Sequence, residues 1–296
     1  MKSFIFFGFL INLLKCDLTR HSNDVLKRSK IFIEAHRGVS NGQKNHNTKE
    51  AILNTISKGV ESFETDCWLT KDKKVILSHD GYIQKNSLSK RMNFKDYDWS
   101  EFEKIIEEEN EIPKIPLLDD IMKITKNKIF MNLEIKDENE EIWEEIKKLI
   151  EKYEYYDQIS ISSFKIKYYD KVVNYNKEKN RNIVFGFLFF DFDIIRGQEP
   201  FVKGPDLFEL NETNHQITVN AYGVKNNPEF VEEVHDKGMT IGVYFYDEPN
   251  NRQYYNLFEV GVDVIITDYP IRVANQLNDY NSNSIELEGC KNVEKK

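Results

Sequence analysis

The chain has 296 residues, of which 40% are hydrophobic and 13% aromatic, enough for one large α/β barrel or two ordinary domains. Its 41 Lys and Arg residues against 50 Asp and Glu residues give a net charge of −9. This balance argues against a nucleic-acid partner, because such proteins usually carry a basic face. With only 13 Gly and 7 Pro residues, collagen-like and linker-rich chains are excluded.

The N-terminal segment has the pattern of a targeting sequence. After Lys2, the apolar run Phe4–Leu14 matches the core of a signal peptide and is too short to span a bilayer. We therefore expect a signal peptide over 1–19, a secreted or secretory-pathway location, and no stable membrane span in the mature chain. The flank around Cys16 is a poor cleavage site, so an uncleaved, membrane-associated N-terminus is the alternative.

Apolar, β-branched runs alternate with helical patterns over 30–278, which we take as one domain. Nine strands are predicted, at Ile31–Ala35, Val60–Asp66, Val75–His79, Lys128–Glu134, Gln158–Ser162, Ile183–Leu188, Ile217–Ala221, Thr240–Phe245 and Asp263–Thr267. Parallel strands need a crossover of a dozen or more residues, so the second and third runs, separated only by 69–74, must form an antiparallel hairpin. Eight parallel strands remain. They predict an α/β fold, a (β/α)8 TIM barrel with a short β-hairpin excursion after strand 2.

Helical patterns fill the gaps between these strands. They cover Ala51–Lys58, Leu117–Lys126, Glu138–Lys152, Lys165–Lys179, Pro228–Lys237 and Asn250–Val260. The capping-box spacing of Asn47–Glu50 predicts the start of the first helix, and Gly59 its end. Each strand is thus followed by a helix through much of the chain, as a closed parallel barrel requires.

Three segments do not fit the alternation of strands and helices. The acidic stretch Glu101–Glu111 is typical of a solvated helix face, with a partner-binding surface as the alternative. The irregular stretch Phe189–Asn214 predicts a loop over one end of the barrel. The polar tail 279–296 predicts disorder.

Titratable side chains gather at the predicted C-terminal ends of the strands, where the active sites of such barrels form. They are His36 and Arg37 after the first strand, Glu64 and Asp66 on the second, His79 on the hairpin, Glu134 and Lys136 on the next, and Asp268 after the last. Such groups are costly to remove from water, which favours a functional role.

Three of these side chains suggest a metal site. Glu64 and Asp66 stand two residues apart, so both point to the same face of their strand. Neighbouring carboxylates repel unless a cation neutralises them, and Glu134 ends the next parallel strand. An oxygen-only site favours Ca2+ or Mg2+ over zinc, so we expect one divalent cation here. A salt-bridge network with Lys136 and Arg37 is the alternative.

The two histidines suggest acid–base catalysis at phosphorus. One of His36 and His79 would take a proton from the attacking oxygen, and the other would protonate the leaving alkoxide. Arg37 and Lys136 would offset charge on the phosphoryl oxygens. A single histidine beside a strand is more often structural, but two beside three carboxylates favour catalysis.

Six motifs in order resemble the glycerophosphodiester phosphodiesterases. They are His36-Arg37-Gly38, Glu64-Thr65-Asp66 with Leu69-Thr70-Lys71-Asp72, His79-Asp80, Leu133-Glu134-Ile135-Lys136, Ser162-Ser163-Phe164 and Val262–Pro270. The resemblance covers 31–270. It implies a barrel, a divalent cation on the three carboxylates, catalysis by the two histidines, and hydrolysis to an alcohol and sn-glycerol 3-phosphate.

Two stretches depart from the family pattern. Where the family usually has Pro-Glu-Asn-Thr, this chain has Asn45–Thr48, with His46 in place of the Glu. We favour a loop role for His46 over that of a third titrating group. Where the family usually has Trp-Thr-Val-Asn, this chain has Tyr244–Asp247, and we expect Tyr244 to keep an aromatic wall against the substrate.

We therefore expect a phosphoric diester hydrolase acting on small-molecule or lysolipid phosphodiesters. A lysophospholipase D-like or sphingomyelinase D-like enzyme on the same barrel is one alternative, motivated by the altered Tyr244–Asp247 stretch and the long loop. A barrel that binds phosphate esters without cleaving them is another, and a phosphatidylinositol phospholipase C fits the carboxylate pattern less well. Protein partners are not indicated by the sequence.

Overall fold

The computed structural model describes residues 31–40, 45–85, 88–109, 112–189, 215–246 and 251–293. The expected signal peptide at 1–19 and nearly all of the loop Phe189–Asn214 lie outside these ranges, so the signal peptide and the secreted location stay predictions. Within the described residues, none of the helices combines the length and the apolar character that crossing a membrane would take.

Eight parallel strands close into a barrel, as predicted. The described residues form eleven strands in all, of which eight belong to the barrel. They are β1 Phe32–His36, β2 Ser62–Leu69, β3 Val75–Leu77, β4 Tyr82–Ile83, β5 Met92–Asn93, β6 Phe130–Ile135, β7 Ile159–Ser163, β8 Phe185–Leu188, β9 His215–Asn220, β10 Thr240–Tyr244 and β11 Val264–Thr267. The barrel order is β1, β2, β6, β7, β8, β9, β10 and β11, and β11 returns to pair with β1. The fold class predicted from the sequence is confirmed.

The hairpin excursion after the second strand is also confirmed. β3 pairs antiparallel with β2, with Cys67 opposite Leu77, and so stays outside the parallel barrel. A second antiparallel pair, β4 with β5, follows it. This pair was not predicted from the sequence, because two residues per strand are too few to show an alternating pattern.

Nine α-helices accompany the strands among the described residues. They are α1 Lys49–Ser57, α2 Trp99–Glu108, α3 Leu118–Thr125, α4 Glu141–Tyr153, α5 Lys167–Lys179, α6 Ala221–Asn226, α7 Glu229–Asp236, α8 Asn251–Val260 and α9 Pro270–Val293. α2 lies on the acidic stretch and buries Phe102 and Ile106. α9 differs from the prediction, because it continues as a helix to Val293 through most of the tail expected to be disordered.

The strands divide their side chains between two layers. On β2 and β6 the apolar residues Phe63, Cys67, Met131 and Leu133 belong to the core between strands and helices. Most of the alternate positions on the same strands, Ser62, Glu64, Asp66, Asn132 and Glu134, are polar and face the inside of the barrel, as the two-residue period of a strand requires. The carboxylates predicted to bind metal therefore come from the inward-facing set.

A buried acid lies deep inside the barrel. Glu34 of β1 accepts a hydrogen bond from Asn132 Nδ2 at 2.9 Å and one from Ser62 Oγ at 3.3 Å. Asn132 in turn accepts from Ser162 Oγ at 2.8 Å. Because β2 separates β1 from β6, the Glu34–Asn132 contact must cross the barrel interior. Burial raises the pKa of Glu34 to about 7, so its neutral form is favoured.

Residues 78–117, which we call the excursion, leave the barrel between β3 and α3. They contribute most of a second, smaller hydrophobic cluster, made of Ile76, Ile83, Phe94, Phe102, Ile106, Ile112 and Ile115. Trp68 of β2 donates from Nε1 to the carbonyl of His79 at 3.2 Å, which ties the start of the excursion to the barrel. This packing holds His79 beside the end of the barrel.

Candidate active site

The register of the barrel strands brings the predicted site residues to one level. His36 lies opposite Glu64 across β1 and β2, and Asp66 lies opposite Glu134 across β2 and β6. Ser162 of β7 lies opposite Glu134 on its other side. These side chains end on the rim where the strands have their carboxyl termini, as predicted.

Three buried carboxylates form the centre of the site. Glu64, Asp66 and Glu134 each offer an oxygen, and these oxygens all lie within 4.8 Å of one another. Burial, followed by the charges of Asp66 and Glu134, raises the pKa of Glu64 well above its ordinary value. Burial and Asp66 raise the pKa of Glu134 to about 7. The three groups therefore repel one another, which is the condition a bound cation relieves.

Two basic side chains reach into the same cluster. Lys136 Nζ lies 3.2 Å from Asp66 Oδ1 and 3.1 Å from Glu134 Oε1. Arg37 Nε lies 3.1 Å from Asp66 Oδ2 as an ion pair, without the alignment of a hydrogen bond. Burial opposes ionisation of Asp66, but Lys136 and Arg37 outweigh it and hold its pKa below the ordinary value.

The balance of charges favours a metal site over the salt-bridge alternative. Both ion pairs of that alternative are present, but they supply two positive charges to three carboxylates. Glu64 makes neither pair; its Oε2 accepts from the backbone N–H of Arg37 at 3.2 Å and lies 4.0 Å from His36 Nε2. The donor set is oxygen-only and carries excess negative charge, which suits a hard divalent cation such as Ca2+ or Mg2+.

Asn47 holds Asp66 in place, a role that the sequence analysis missed. Its Nδ2 donates to Asp66 Oδ2 at 2.8 Å, while its Oδ1 accepts from Thr65 Oγ1 at 2.6 Å and from Asp66 N at 3.2 Å. The predicted capping box is wrong by one residue: Thr48 is the N-cap of α1 and accepts from Ala51 N. Asn47 is buried with φ of +57°, which asparagine tolerates better than most residues.

Both histidines are oriented by a carboxylate. His36 Nδ1 lies 2.7 Å from Asp268 Oδ1, and His79 Nδ1 lies 2.9 Å from Asp80 Oδ1. Burial resists ionisation of Asp268, but its hydrogen bond and charge contact with His36 prevail and hold its pKa below the ordinary value. In each pair the ring Nδ1–H donates to the carboxylate oxygen, so Nε2 of each ring stays available for a substrate oxygen. Asp268 was predicted to lie at the rim and Asp80 belongs to the His79-Asp80 motif, but neither was given a role from the sequence.

Gly38, two residues after His36, is required for a steric reason. Its φ is +80°, and a Cβ built there would lie 2.9 Å from the backbone carbonyl carbon of Ala51. A side chain would therefore push α1 away from the end of β1. Close packing of α1 keeps Asn47, two residues before that helix, against Asp66.

His46 lies near His36. Its ring centroid is 6.1 Å from that of His36. Burial lowers the pKa of His46, and the charge of Asp268 opposes this. The preference for a loop role over a third titrating group stays a prediction.

A cavity of about 150 Å³, which we call the barrel cavity, lies over the carboxylates. Its polar lining contains His36, Arg37, Glu64, His79, Glu134, Lys136 and Ser162. Its outer wall is apolar or aromatic and contains Phe164, Leu188, Tyr244, Phe245, Tyr246 and Ile266. Tyr244 forms part of this wall as expected, and its hydroxyl donates to the carbonyl of Phe189 at 2.9 Å. Every predicted site residue except Asp66 therefore lines this cavity, and Asp66 contacts two of the lining residues, Arg37 and Lys136.

A (β/α)8 barrel with this rim defines a class of phosphodiester-cleaving enzymes, and comparison with known proteins identifies the family. The model of the glycerophosphoryl diester phosphodiesterase family matches residues 36–272. The chain therefore belongs to that family and is a phosphoric diester hydrolase. The family is metal-dependent, and the carboxylate cluster described above could hold a metal ion.

Individual relatives agree with this assignment. A glycerophosphodiester phosphodiesterase of Bacillus altitudinis is 27% identical over 256 residues, covering 83% of this chain and 97% of the relative. A human lysophospholipase D is 24% identical over 277 residues, covering 85% and 86%.

Solved structures show the same fold. A glycerophosphodiester phosphodiesterase structure from Galdieria sulphuraria superposes with a TM-score of 0.69 at 19% identity, covering 84% of this chain and 98% of that one. An Oleispira antarctica phosphodiesterase, solved with sn-glycerol-3-phosphate as product, superposes with a TM-score of 0.63 at 19% identity, covering 83% and 96%.

Proposed function

We propose that this enzyme hydrolyses glycerophosphodiesters to an alcohol and sn-glycerol 3-phosphate, using one divalent cation and two histidines. The observation that carries the proposal is the position of the carboxylate cluster. Two of its members, Glu64 and Glu134, line the barrel cavity together with His36 and His79, and each histidine is held by its own aspartate. Acid, base and negative charge thus stand around a space that a phosphodiester can enter.

The three carboxylates Glu64, Asp66 and Glu134 would hold the cation, either Ca2+ or Mg2+. When bound, the cation supplies charge stabilisation to a phosphoryl oxygen. Arg37 and Lys136 line the same cavity and would bind the remaining phosphoryl oxygens, where their charges stabilise the transition state. These two residues and Tyr244 form the proposed substrate-binding set.

The histidines would divide the proton transfers between them. The base takes the proton from the attacking O–H group as the new P–O bond forms, and the acid gives a proton to the alkoxide as the old P–O bond breaks. Asp268 and Asp80 hold the rings with Nδ1 engaged, so Nε2 is the atom that handles the proton in each case.

A lysophospholipase D activity is the second candidate, favoured by the apolar wall of the barrel cavity. Phe164, Leu188, Phe245 and Ile266 would contact the acyl chain of a lysolipid more favourably than they would a bare glycerol arm. Several relatives are named as lysophospholipases D. This second activity would use the same bond cleavage, on a substrate whose glycerol carries an acyl chain.

Product analysis by phosphorus NMR tests the proposal. Purified enzyme is incubated with glycerophosphocholine or with lysophosphatidylcholine, each with Ca2+ or Mg2+ and each with chelator. We expect sn-glycerol 3-phosphate, or its acylated counterpart, only when the cation is present. A cyclic phosphate signal would show that a substrate hydroxyl attacks first. Binding of both compounds without any cleavage would favour the non-catalytic barrel and refute the proposal.

A further inference from the structure

A second cavity, which we call the excursion cavity, lies between the end of the barrel and the excursion. It has a volume of about 520 Å³. It meets the barrel cavity at His79 and Arg37, which line both. Among the described residues, His36 lines the barrel cavity and not the excursion cavity. A phosphoryl group bound between the two histidines therefore has a different cavity on each side.

The two cavities differ in their chemistry. Beyond the catalytic groups, the barrel cavity is walled mostly by apolar and aromatic side chains. The excursion cavity has a polar side with Asn47, Ser78, Asp80 and Gln84, and an apolar side that includes the buried Ile83. Polar wall groups keep their hydrogen bonds beside a hydrated alcohol but lose them beside an alkyl chain. Its volume also falls in the range of sites for small organic ligands.

We propose that the excursion cavity binds the leaving alcohol, which is a small polar alcohol such as an aminoalcohol or a polyol. This inference rests on the proposed function and adds an orientation to it. The glycerol arm then lies in the barrel cavity, and the phosphoryl group lies at the junction beside Arg37.

This orientation assigns the two proton transfers. His79 faces the leaving alcohol, so it donates a proton to the alkoxide oxygen that keeps the electron pair of the broken P–O bond. His36 faces the other side and takes the proton of the attacking O–H group as the new P–O bond forms. One proton is taken up and one is released, so both histidines exchange their protonation states over the step.

Filling the excursion cavity tests the assignment. Ser78 is half-buried and lines only this cavity among the described residues, and its backbone N–H donates to Asp66 O at 3.0 Å whatever its side chain. The variant Ser78→Phe adds bulk, and Ser78→Ala is the matched control. A second filling variant, Pro113→Trp, enters from the exposed far wall and covers the case in which Ser78→Phe does not fold.

The substrates vary one arm at a time. Glycerophosphoinositol, glycerophosphocholine and glycerophosphoethanolamine share the glycerol arm and differ in the leaving alcohol. Lysophosphatidylcholine shares its alcohol with glycerophosphocholine and extends the glycerol arm. For a filling variant we expect kcat/KM to fall at least about tenfold for the inositol substrate and much less for the ethanolamine one. The acyl chain should leave the loss unchanged. Ser78→Ala removes one polar wall group without adding bulk, so its loss should be smaller than that of Ser78→Phe and should not follow the size of the alcohol.

Two results would overturn the assignment. A loss that is equal for all three alcohols would show that the cavity does not contact the leaving group. A loss confined to lysophosphatidylcholine would place the acyl chain there and reverse the orientation. Either result leaves the proposed function intact, whereas a wild-type enzyme that cleaves none of these diesters overturns both.

Discussion

The buried acid inside the barrel gives a quantitative prediction about stability. Glu34 is fully buried, its partners are the neutral Asn132 and Ser62, and its pKa is raised from 4.5 to about 7. The folded protein therefore binds this proton more tightly than the unfolded chain does. The stabilisation from that proton is complete below pH 4.5 and is lost as the pH rises through about 7.

The magnitude follows from the interval between the two pKa values. At about 1.4 kcal/mol per pH unit, the interval from 4.5 to about 7 corresponds to about 3 kcal/mol of folding free energy lost between acid and alkaline pH. The variant Glu34→Gln removes this dependence, because it never ionises. Its amide keeps an oxygen for Asn132 and offers an N–H group towards Ser62 Oγ.

Urea unfolding of wild type and Glu34→Gln at pH 5 and pH 8 measures the effect. Between pH 5 and pH 8 we expect the difference in unfolding free energy between the variant and wild type to shift in favour of the variant by about 2.5 kcal/mol. Glu103→Gln, on the exposed face of α2, controls for removal of a charge. A difference that stays constant between the two pH values would refute a protonated acid at this position.

Four further variants probe the rim of the barrel. His36→Ala and His79→Ala should each lower kcat by about 10²- to 10⁴-fold with unchanged circular dichroism, and a mild loss in either would remove that residue from the mechanism. Glu134→Gln should weaken binding of Ca2+ or Mg2+ in a calorimetric titration without lowering the melting temperature, because it removes a carboxylate from a repelling cluster. Asn47→Ala should cost about 1–3 kcal/mol of unfolding free energy by leaving the buried Asp66 short of a donor, and an unchanged urea midpoint would contradict that role.

Much of the fold could be predicted from the sequence because its signals are local. Alternating apolar runs placed every barrel strand to within a few residues. The short connection at 69–74 required the hairpin on chain geometry alone. The two-residue spacing of Glu64 and Asp66 put both carboxylates on the inner face, and β6 next to β2 brought Glu134 beside them. The positions of most site residues could therefore be predicted from the regular periodicity of the strands and from their order along the chain.

The remaining features depend on contacts between distant parts of the chain. Asn47 looked like a helix cap because its polar side chain precedes α1, but its partners lie on β2. Glu34 gave no signal as a buried acid, because its environment comes from three other strands. The excursion cavity likewise arises only when the excursion packs over the rim, which no local pattern encodes.

The most direct test of the metal site combines binding and activity in one sample. Chelator-treated enzyme is titrated with Ca2+ or Mg2+, while bound cation and the rate of glycerophosphocholine hydrolysis are followed together. We predict that the rate rises from zero in proportion to a single bound cation, and that Glu134→Gln shifts both curves to higher cation concentration. Full hydrolysis by enzyme that holds no cation would contradict a catalytic role for the three carboxylates.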